Sequence, residues 1–541
     1  MAFDLLLLNG NILDGSGGPA RRVDVGLQDG HVAAVGDLAA AEAATRLDCA
    51  GLAVCPGFID LHSHSDLTLL ANPRAESKVR MGVTSECNGQ CGMGVFPIRA
   101  DDSGQLRAVC SFIEAPVEFC WSSTAEYLAA LQRARPAINV APMLGQSALR
   151  AYAMGFENRP AAPDEIARMR EAAREGFAQG AVGISLGLAY ALGSFAAHDE
   201  LVGLCREAAA HGRHVSVHLR NEGVRQLEAL DEMIGIVREV EDAGRLRLQI
   251  DHLKCCGQES WGRMPRVIEH IEQAHTAGVD IAFDVYPYIA GSRHLSGSLP
   301  PWMHDGGNEA LVARLRDPDC RRRLREEFSP WLDHPEVRIP FDWNFPDILI
   351  TDVDSDENRW AVGLRLDEVA ARRGQEPLDA TLDLMAEENA YVSACFFSMN
   401  EDDMRLALAH PLGCVGTDGL AYAPYGPLSQ ARPHPRSYGT FPRVMGHYVR
   451  EEKLLSLPEA VRKCTSLPAS RLGLTDRGLL REDMWADVTV FDPQTIADTA
   501  TYANPHQYPV GIAYVIVNGV LTVANGEHTG AGAGTILNNS A

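Results

Sequence analysis

Lysine is scarce in this chain. The 48 basic residues include only four lysines, which are Lys78, Lys254, Lys453 and Lys463. Acidic residues number 72, so the net charge near neutral pH is −24. A surface this acidic disfavours partners such as nucleic acid and anionic membranes, because both are themselves negatively charged.

Long apolar runs are missing as well. No run reaches the roughly 18 residues that a membrane-spanning helix needs, and the start of the chain carries Asp4 beside a short leucine run, unlike a secretory signal. The 13 cysteines follow no regular spacing, which favours free thiols over a disulfide framework. The expected location is therefore the reducing cytoplasm.

Glycine-rich phosphate-binding motifs are absent. No G-x-G-x-x-G follows a strand-like run and no P-loop occurs, which excludes the nucleotide-binding folds that depend on them. Residues 164–286 instead alternate strictly between helical and strand-like patterns. This alternation predicts an α/β fold with a parallel sheet and crossover helices.

Three side chains recur at equivalent places in that pattern. His218, His252 and Tyr286 are spaced 34 residues apart, each near the carboxyl end of a strand-like run. Equivalent positions in successive βα units converge on one face of a barrel, where barrel enzymes carry their active sites. We therefore predict a (β/α)8 TIM-like barrel over residues 56–474, with a site at that face.

The flanking and inserted segments have other patterns. Residues 1–55 and 475–541 contain short strands separated by turn signals, which favours one small β-sandwich domain built from both termini; two unrelated β flaps are the alternative. Residues 300–345 break the βα rhythm, and we expect an inserted subdomain or lid there. A strand-like run at 391–399 makes one strand more than eight, and the pattern does not indicate which strand is peripheral.

The strongest chemical signal is P-G-F-I-D-L-H-S-H at residues 56–64. On a strand, residues i and i+2 point to the same side, so His62 and His64 can both reach one metal ion. An isolated His-x-His is more often an ordinary polar pair. Because other predicted strands downstream also end in histidine, we predict a metal centre.

This stretch resembles the amidohydrolase superfamily of metal-dependent barrel hydrolases. Further segments are similar to the D-aminoacylase (N-acyl-D-amino-acid deacylase) family: G-Q-C-G at 89–92, H-L-R-N-E at 218–222, D-H-L-K at 251–254, D-V-Y-P-Y at 284–288, G-T-D-G at 416–419 and H-P-R at 434–436. The resemblance implies zinc-dependent hydrolysis of the linear amide of an N-acyl-D-amino acid. The implied partner is a small amide substrate; the sequence leaves the oligomeric state open, and a homo-oligomer is one possibility.

The resemblance also implies a ligand set for one or two zinc ions. His62 and His64 would lie at one metal position and His218 and His252 at the other, with Cys91 as a thiolate ligand that bridges them in one arrangement. Zinc accepts imidazole and thiolate, and catalytic zinc sites leave a place for water. The alternative for Cys91 is an ordinary buried cysteine. The predicted fourth strand, 181–190, has no lysine, which disfavours relatives that bridge two metals through a carboxylated lysine.

Asp418 ends an apolar strand pattern at 415–418 and is both a candidate ligand and the candidate catalytic residue. A carboxylate there can take a proton from the attacking water and deliver it to the leaving amine; a capping aspartate is the alternative. The substrate's own carboxylate requires cationic or hydroxyl donors. The resemblance implies Lys254, Tyr286 and Arg436 for that carboxylate, and Tyr190 for the acyl carbonyl.

Some positions depart from the family pattern. Leu186 and Leu192 replace Thr and Pro after the fourth strand, and Arg293 stands where a small polar residue is commoner. These positions lie where the substrate is expected, so they bear on which substrate is bound more than on the metal chemistry. Leu295, Leu299 and Trp302 suggest an apolar side-chain pocket. Two alternatives stay open: an amidohydrolase of another N-acyl, peptide-like or cyclic amide, and a non-catalytic interaction protein on this scaffold. The second should have lost ligands, whereas here every candidate position is filled.

Overall fold

The structure, a computed structural model, describes residues 2–99, 115, 117–332 and 344–538. Within these residues, parallel strands numbered β1–β8 form a ring in chain order, and each pairs with the next. They are β1 Phe58–Asp60, β2 Val83–Asn88, β3 Asn139–Pro142 continued by Leu144–Gly145, β4 Gly183–Gly187, β5 His214–His218, β6 Arg247–Ile250, β7 Ile281–Val285 and β8 Gly413–Val415.

Backbone hydrogen bonds just beyond the strand ends close the ring between β8 and β1. The amide of His64 donates to the carbonyl of Gly419 at 3.0 Å, and the amide of Asp418 donates to the carbonyl of His62 at 2.8 Å. The His-x-His segment and Asp418 are therefore neighbours as a direct result of barrel closure.

A fully buried lysine reinforces this junction. Lys78 Nζ donates to Asp60 Oδ2 at 2.6 Å, to Thr417 Oγ1 at 2.7 Å and to Ser63 Oγ at 3.0 Å. Its three donors are thus all used, as a buried ammonium requires. Lys78 joins the end of β1 to the end of β8 directly behind the site.

Helices cover the outside of the ring, and the Met264–Thr276 helix shows why. It buries Met264, Val267, Ile271 and Ala274, whose spacing of three and four residues gives one apolar face. The helices around the barrel are Thr68–Ala71, Glu76–Val79, Thr124–Ala134, Gln146–Met154, Pro163–Gln179, His198–Ala210, Gln226–Glu239, Met264–Thr276, Glu401–Ala409, Arg436–Arg443, the π-helical Val444–Glu451, Leu457–Cys464 and Ser466–Leu472. Among the described residues, no helix combines the length and apolar character needed to cross a membrane.

Residues 291–396, which we call the inserted segment, form a separate layer. Strands Gly291–His294, Val392–Phe396 and Ile348–Val353 make an antiparallel sheet with Val392–Phe396 in the middle. Helices Asn308–Arg316, Pro318–Leu332, Leu366–Arg373 and Pro377–Glu387 accompany it, and the segment has its own hydrophobic core. The strand-like run at 391–399 therefore belongs to this sheet and not to the barrel. The insertion expected at 300–345 lies inside this longer segment, and its residues 333–343 lie outside the described residues.

The two ends of the chain pair with each other. Strand Ala53–Pro56 is antiparallel to Val488–Phe491 in one mixed sheet, so the β-rich ends form one unit rather than two flaps. That sheet runs Glu527–His528, Val520–Ala524, Ile512–Val517, Val488–Phe491, Ala53–Pro56, Asn11–Ile12 and Arg21–Arg22. A second sheet runs His31–Gly36, Asp24–Gln28, Phe3–Leu8 and Ala43–Asp48, and both sheets contribute to one hydrophobic core.

Candidate metal centre

Buried side chains from five strand ends meet at the carboxyl face of the barrel. They form two groups, and within each group all the possible ligand atoms lie within 4.8 Å of one another. The first group is His62, His64, Cys91 and Asp418, and the second is Cys91, His218 and His252. Cys91 belongs to both, because its Sγ is 3.4 Å from His62 Nε2 and 3.3 Å from His252 Nε2. The structure therefore brings all six predicted metal residues together, with Cys91 in the middle.

Three of these residues have left-handed backbone conformations. The φ angle is 54° at Cys91, 34° at His252 and 48° at Asp418, and each residue follows its barrel strand by two or three positions. Such conformations cost non-glycine residues on the order of 1–3 kcal/mol and cluster at functional sites. The surrounding fold thus holds these three side chains in place against local preference.

A glycine at the end of β4 makes room for Cys91. A Cβ built on Gly187 would overlap the carbonyl oxygen of Cys91, and one on Gly92 would overlap the backbone nitrogen of Gly187. The loop that carries Cys91 therefore packs backbone against backbone on β4.

Two buried carboxylates lie behind His62. Asp284 Oδ1 is 3.1 Å from His62 Nδ1 and accepts the backbone N–H of His252 at 2.8 Å, while Asp251 Oδ1 is 3.7 Å from His62 Nδ1. Burial lowers the pKa of His62, but Asp284, Cys91 and Asp251 together more than offset this and raise it well above its ordinary value. Burial raises the pKa of Asp251 well above its ordinary value. Asp284 therefore contacts one residue of each ligand group, His62 of the first and His252 of the second.

Asp418 is shared between histidines and an arginine. Its Oδ1 is 3.1 Å from His64 Nε2 and 3.5 Å from His62 Nε2, and its Oδ2 accepts a hydrogen bond from Arg436 Nη1 at 2.7 Å. Burial alone would raise the pKa of Asp418, but Arg436 and the neighbouring histidines hold it well below its ordinary value. Asp418 is therefore a carboxylate at neutral pH.

The predicted substrate residues all lie at this centre, and two of them are already paired. Arg436 is 1% exposed and bonds Asp418. Lys254 Nζ donates to Glu222 Oε1 at 2.6 Å. The Tyr286 hydroxyl is buried without a hydrogen-bond partner in the described ranges, and the half-buried ring of Tyr190 lies 4.6 Å from that of His218.

Glu222 is the residue that sequence reasoning missed. Its Oε2 lies 3.2 Å from His218 Nε2, and its Oε1 lies 3.1 Å from His252 Nδ1. The sequence does carry a signal for it, because Glu222 follows His218, the histidine at the end of β5, by four residues.

A cavity of about 360 Å³ lies between the barrel face and the inserted segment. Asp418 and Arg436 line it on the barrel side, and Thr351 and Ser393 line it on the inserted sheet. This volume suits a small-molecule substrate. The expected apolar pocket from Leu295, Leu299 and Trp302 is wrong, because both leucines are buried in the core of the inserted segment and Trp302 packs against that core.

The donor set fits zinc. Imidazole, thiolate and carboxylate are its usual protein ligands. His218 Nδ1 is buried without a hydrogen-bond partner among the described residues, and such an atom is costly unless something binds it. Burial lowers the pKa of His64 to about 4 and that of His252 to about 3, which keeps both imidazoles in the neutral form that binds metals. Burial raises the pKa of the Cys91 thiol to about 12, so an adjacent cation is needed to form the thiolate.

Comparison with known proteins identifies the class. The model of the amidohydrolase family matches residues 46–296 and 361–523, so the chain belongs to this family. More particularly, it is 36% identical over 535 residues to a D-aminoacylase of Alcaligenes xylosoxydans xylosoxydans, covering 99% of this chain and 97% of that protein. It is 37% identical over 517 residues to an N-acyl-D-glutamate deacylase of the same organism, covering 95% and 93%. The predicted family resemblance is confirmed.

A solved structure supports the fold. N-acyl-D-glutamate deacylase from Bordetella bronchiseptica, complexed with zinc and a phosphonate that mimics the tetrahedral intermediate, matches with a TM-score of 0.83 and 33% identity. The match covers 99% of this chain and 100% of that one. The predicted barrel fold is confirmed.

Proposed function

We propose that this protein is a zinc-dependent hydrolase of the linear amide bond of N-acyl-D-amino acids. Its products are a carboxylate and a free D-amino acid. The observation that carries the proposal is the position of Cys91 between the two histidine pairs, with Asp418 beside one of them. The names of relatives that span nearly the whole chain, D-aminoacylase and N-acyl-D-glutamate deacylase, supply the substrate class.

The two ligand groups provide two candidate metal positions. His62, His64, Cys91 and Asp418 would hold one ion, and Cys91 would share a second with His218 and His252. A zinc ion bound there lowers the pKa of water toward neutrality and polarises the scissile carbonyl.

Asp418 is the candidate general base and acid. The bond from Arg436 fixes its orientation and keeps it ionised, so it can accept a proton from the attacking water. After attack, the same carboxyl group delivers that proton to the amine as the C–N bond breaks.

Donors that remain at the centre support recognition of the substrate's carboxylate. The Tyr286 hydroxyl and Arg436 Nε are buried without partners within the described part of the chain. Arg436 lies over the Tyr286 ring, with Cζ 4.8 Å from its centroid, so the two groups face one region. We assign them to the substrate carboxylate and Tyr190 to the acyl group. Lys254 can join them only by sharing its bond to Glu222.

The test is an amidase assay on a substrate panel. It contains N-acyl-D- and N-acyl-L-amino acids with neutral and acidic side chains, together with a hydantoin, and it measures released amine or ring opening. We expect release from N-acyl-D substrates, loss on chelation and recovery with zinc. Hydrolysis restricted to L or cyclic substrates, or no metal-dependent release, would overturn the proposal.

Asp418→Asn tests the base assignment. The amide keeps the shape but cannot accept the proton, so we expect at least a roughly hundredfold loss of kcat in a folded protein. The matched control is Asp242→Asn, which removes an exposed carboxylate paired with Arg206. Unchanged turnover in Asp418→Asn would refute the assignment.

A further inference from the structure

The Nδ1 atom of His252 has two polar neighbours with opposite requirements. Lys254 Nζ lies 2.7 Å away and Glu222 Oε1 lies 3.1 Å away. An ammonium can only donate a hydrogen bond and a carboxylate can only accept one. A neutral His252 therefore satisfies one neighbour at a time: it carries its hydrogen on Nδ1 when it bonds Glu222, and on Nε2 when it accepts from Lys254.

This choice decides what His252 presents to the metal centre. His252 Nε2 lies 3.3 Å from Cys91 Sγ, on the side of the candidate metal position. A ring nitrogen that carries hydrogen has no lone pair for a metal, so only the tautomer bonded to Glu222 can act as a ligand through Nε2.

The same carboxylate acts on the second histidine. Glu222 Oε2 is 3.2 Å from His218 Nε2, and the other ring nitrogen of His218 is buried without a hydrogen-bond partner in the described chain. A hydrogen on Nε2 donated to Glu222 leaves Nδ1 bare for the group formed with Cys91 and His252. One carboxylate can thus fix both imidazoles.

We propose that Glu222 is a positioning residue that selects the metal-binding tautomers of His218 and His252, and that Lys254 opposes it at His252. The ammonium of Lys254 is suited to this role because its hydrogens are directed at Glu222 Oε1, at His252 Nδ1 and, at 3.3 Å, at the carbonyl of His252. The inference rests on the proposed zinc-dependent function and concerns only the position formed by Cys91, His218 and His252.

The experiment measures zinc stoichiometry and affinity of the full-length protein against a competing chelator. Glu222→Gln should bind zinc at one position at least roughly tenfold more weakly, because loss of a carboxylate behind a ligating histidine typically costs this much. Lys254→Met removes the competing donor, so it should bind zinc at least as tightly as the wild type. If Glu222→Gln fails to fold, Lys254→Met still decides: weaker zinc binding by this variant would overturn the proposal.

Glu222→Asp separates positioning from charge. Aspartate keeps the charge but is one methylene shorter, so it cannot span both histidines, and we expect it to lose zinc as Glu222→Gln does. Wild-type affinity in Glu222→Asp would mean that charge alone matters and would overturn the proposal.

The control variant is Glu232→Gln, which alters a partly exposed pair with Arg220 and should leave zinc affinity unchanged. A wild type that binds no zinc would contradict the proposed function. A wild type that binds zinc, with a Glu222→Gln variant that binds it equally well, would overturn this inference alone.

Discussion

At the residue scale, the centre depends on pairs of charges that lie far apart in the sequence. Arg436, at the start of the Arg436–Arg443 helix, bonds Asp418 just after β8, and Glu222 after β5 bonds Lys254 after β6. A buried ion pair fixes the orientation of both side chains, but burying the two charges costs desolvation free energy. Removing one partner therefore leaves the other as an uncompensated buried charge.

Arg436→Met should change the pH dependence of turnover. Without the guanidinium, burial raises the pKa of Asp418 from its lowered value. The base acts when ionised, so the acidic limb of the kcat profile should move to higher pH. The test is to measure kcat against pH for the wild type, for Arg436→Met and for the control variant Arg443→Met. Arg443 is a suitable control because it lies on the same helix but pairs with Asp498. An acidic limb that stays in place would show that Arg436 does not control the base.

The sequence allowed the ligands to be predicted better than their partners. His62 and His64 were predictable because a strand places residues i and i+2 on one side, and His218 and His252 because successive barrel units repeat. The pairing of Lys254 with Glu222 was not, because it depends on how two loops meet in three dimensions. Predicted roles in catalysis and substrate binding stay predictions.

At the element scale, close packing of loops on strand ends sets the geometry. The contact of β4 with the Cys91 loop leaves no space for a side chain at Gly187. The alternation pattern predicted the parallel strands well, because buried strands and amphipathic helices have distinct periods. It could not show that Val392–Phe396 pairs in an antiparallel sheet outside the barrel, since periodicity does not specify a strand's partner.

Gly187→Ala should displace Cys91. The added Cβ meets the carbonyl of Cys91, so the loop must shift, and we expect reduced zinc content and a lower free energy of unfolding. Gly235→Ala is the matched control on the Gln226–Glu239 helix, where a Cβ meets no described atom within 4 Å and should stabilise the helix by about 0.5–1 kcal/mol. Full zinc occupancy in Gly187→Ala would contradict the proposed role of this contact.

At the scale of the whole molecule, the barrel face and the inserted segment enclose the site, and the opposite end of the barrel contributes to stability. His214 begins β5, far along the strand from His218, and is buried. Burial lowers its pKa to about 3, whereas an unfolded histidine titrates near about 6.5.

His214 should therefore make the fold sensitive to acid. Between those two pKa values the unfolded chain binds a proton that the folded chain does not, so stability falls as pH falls through this window, by about 2 kcal/mol at pH 5. Urea unfolding of the wild type and His214→Gln at pH 7 and pH 5 measures this, with His270→Gln as a partly exposed control. We expect a smaller pH dependence in His214→Gln alone. The same pH dependence in all three proteins would refute this role.

The most direct measurement is an anomalous X-ray difference map at the zinc edge from crystals of the zinc-loaded protein. We predict one or two peaks within bonding distance of Cys91 and the four histidines. A map with zinc only elsewhere on the molecule, or with Cys91 outside the zinc coordination sphere, would contradict the account.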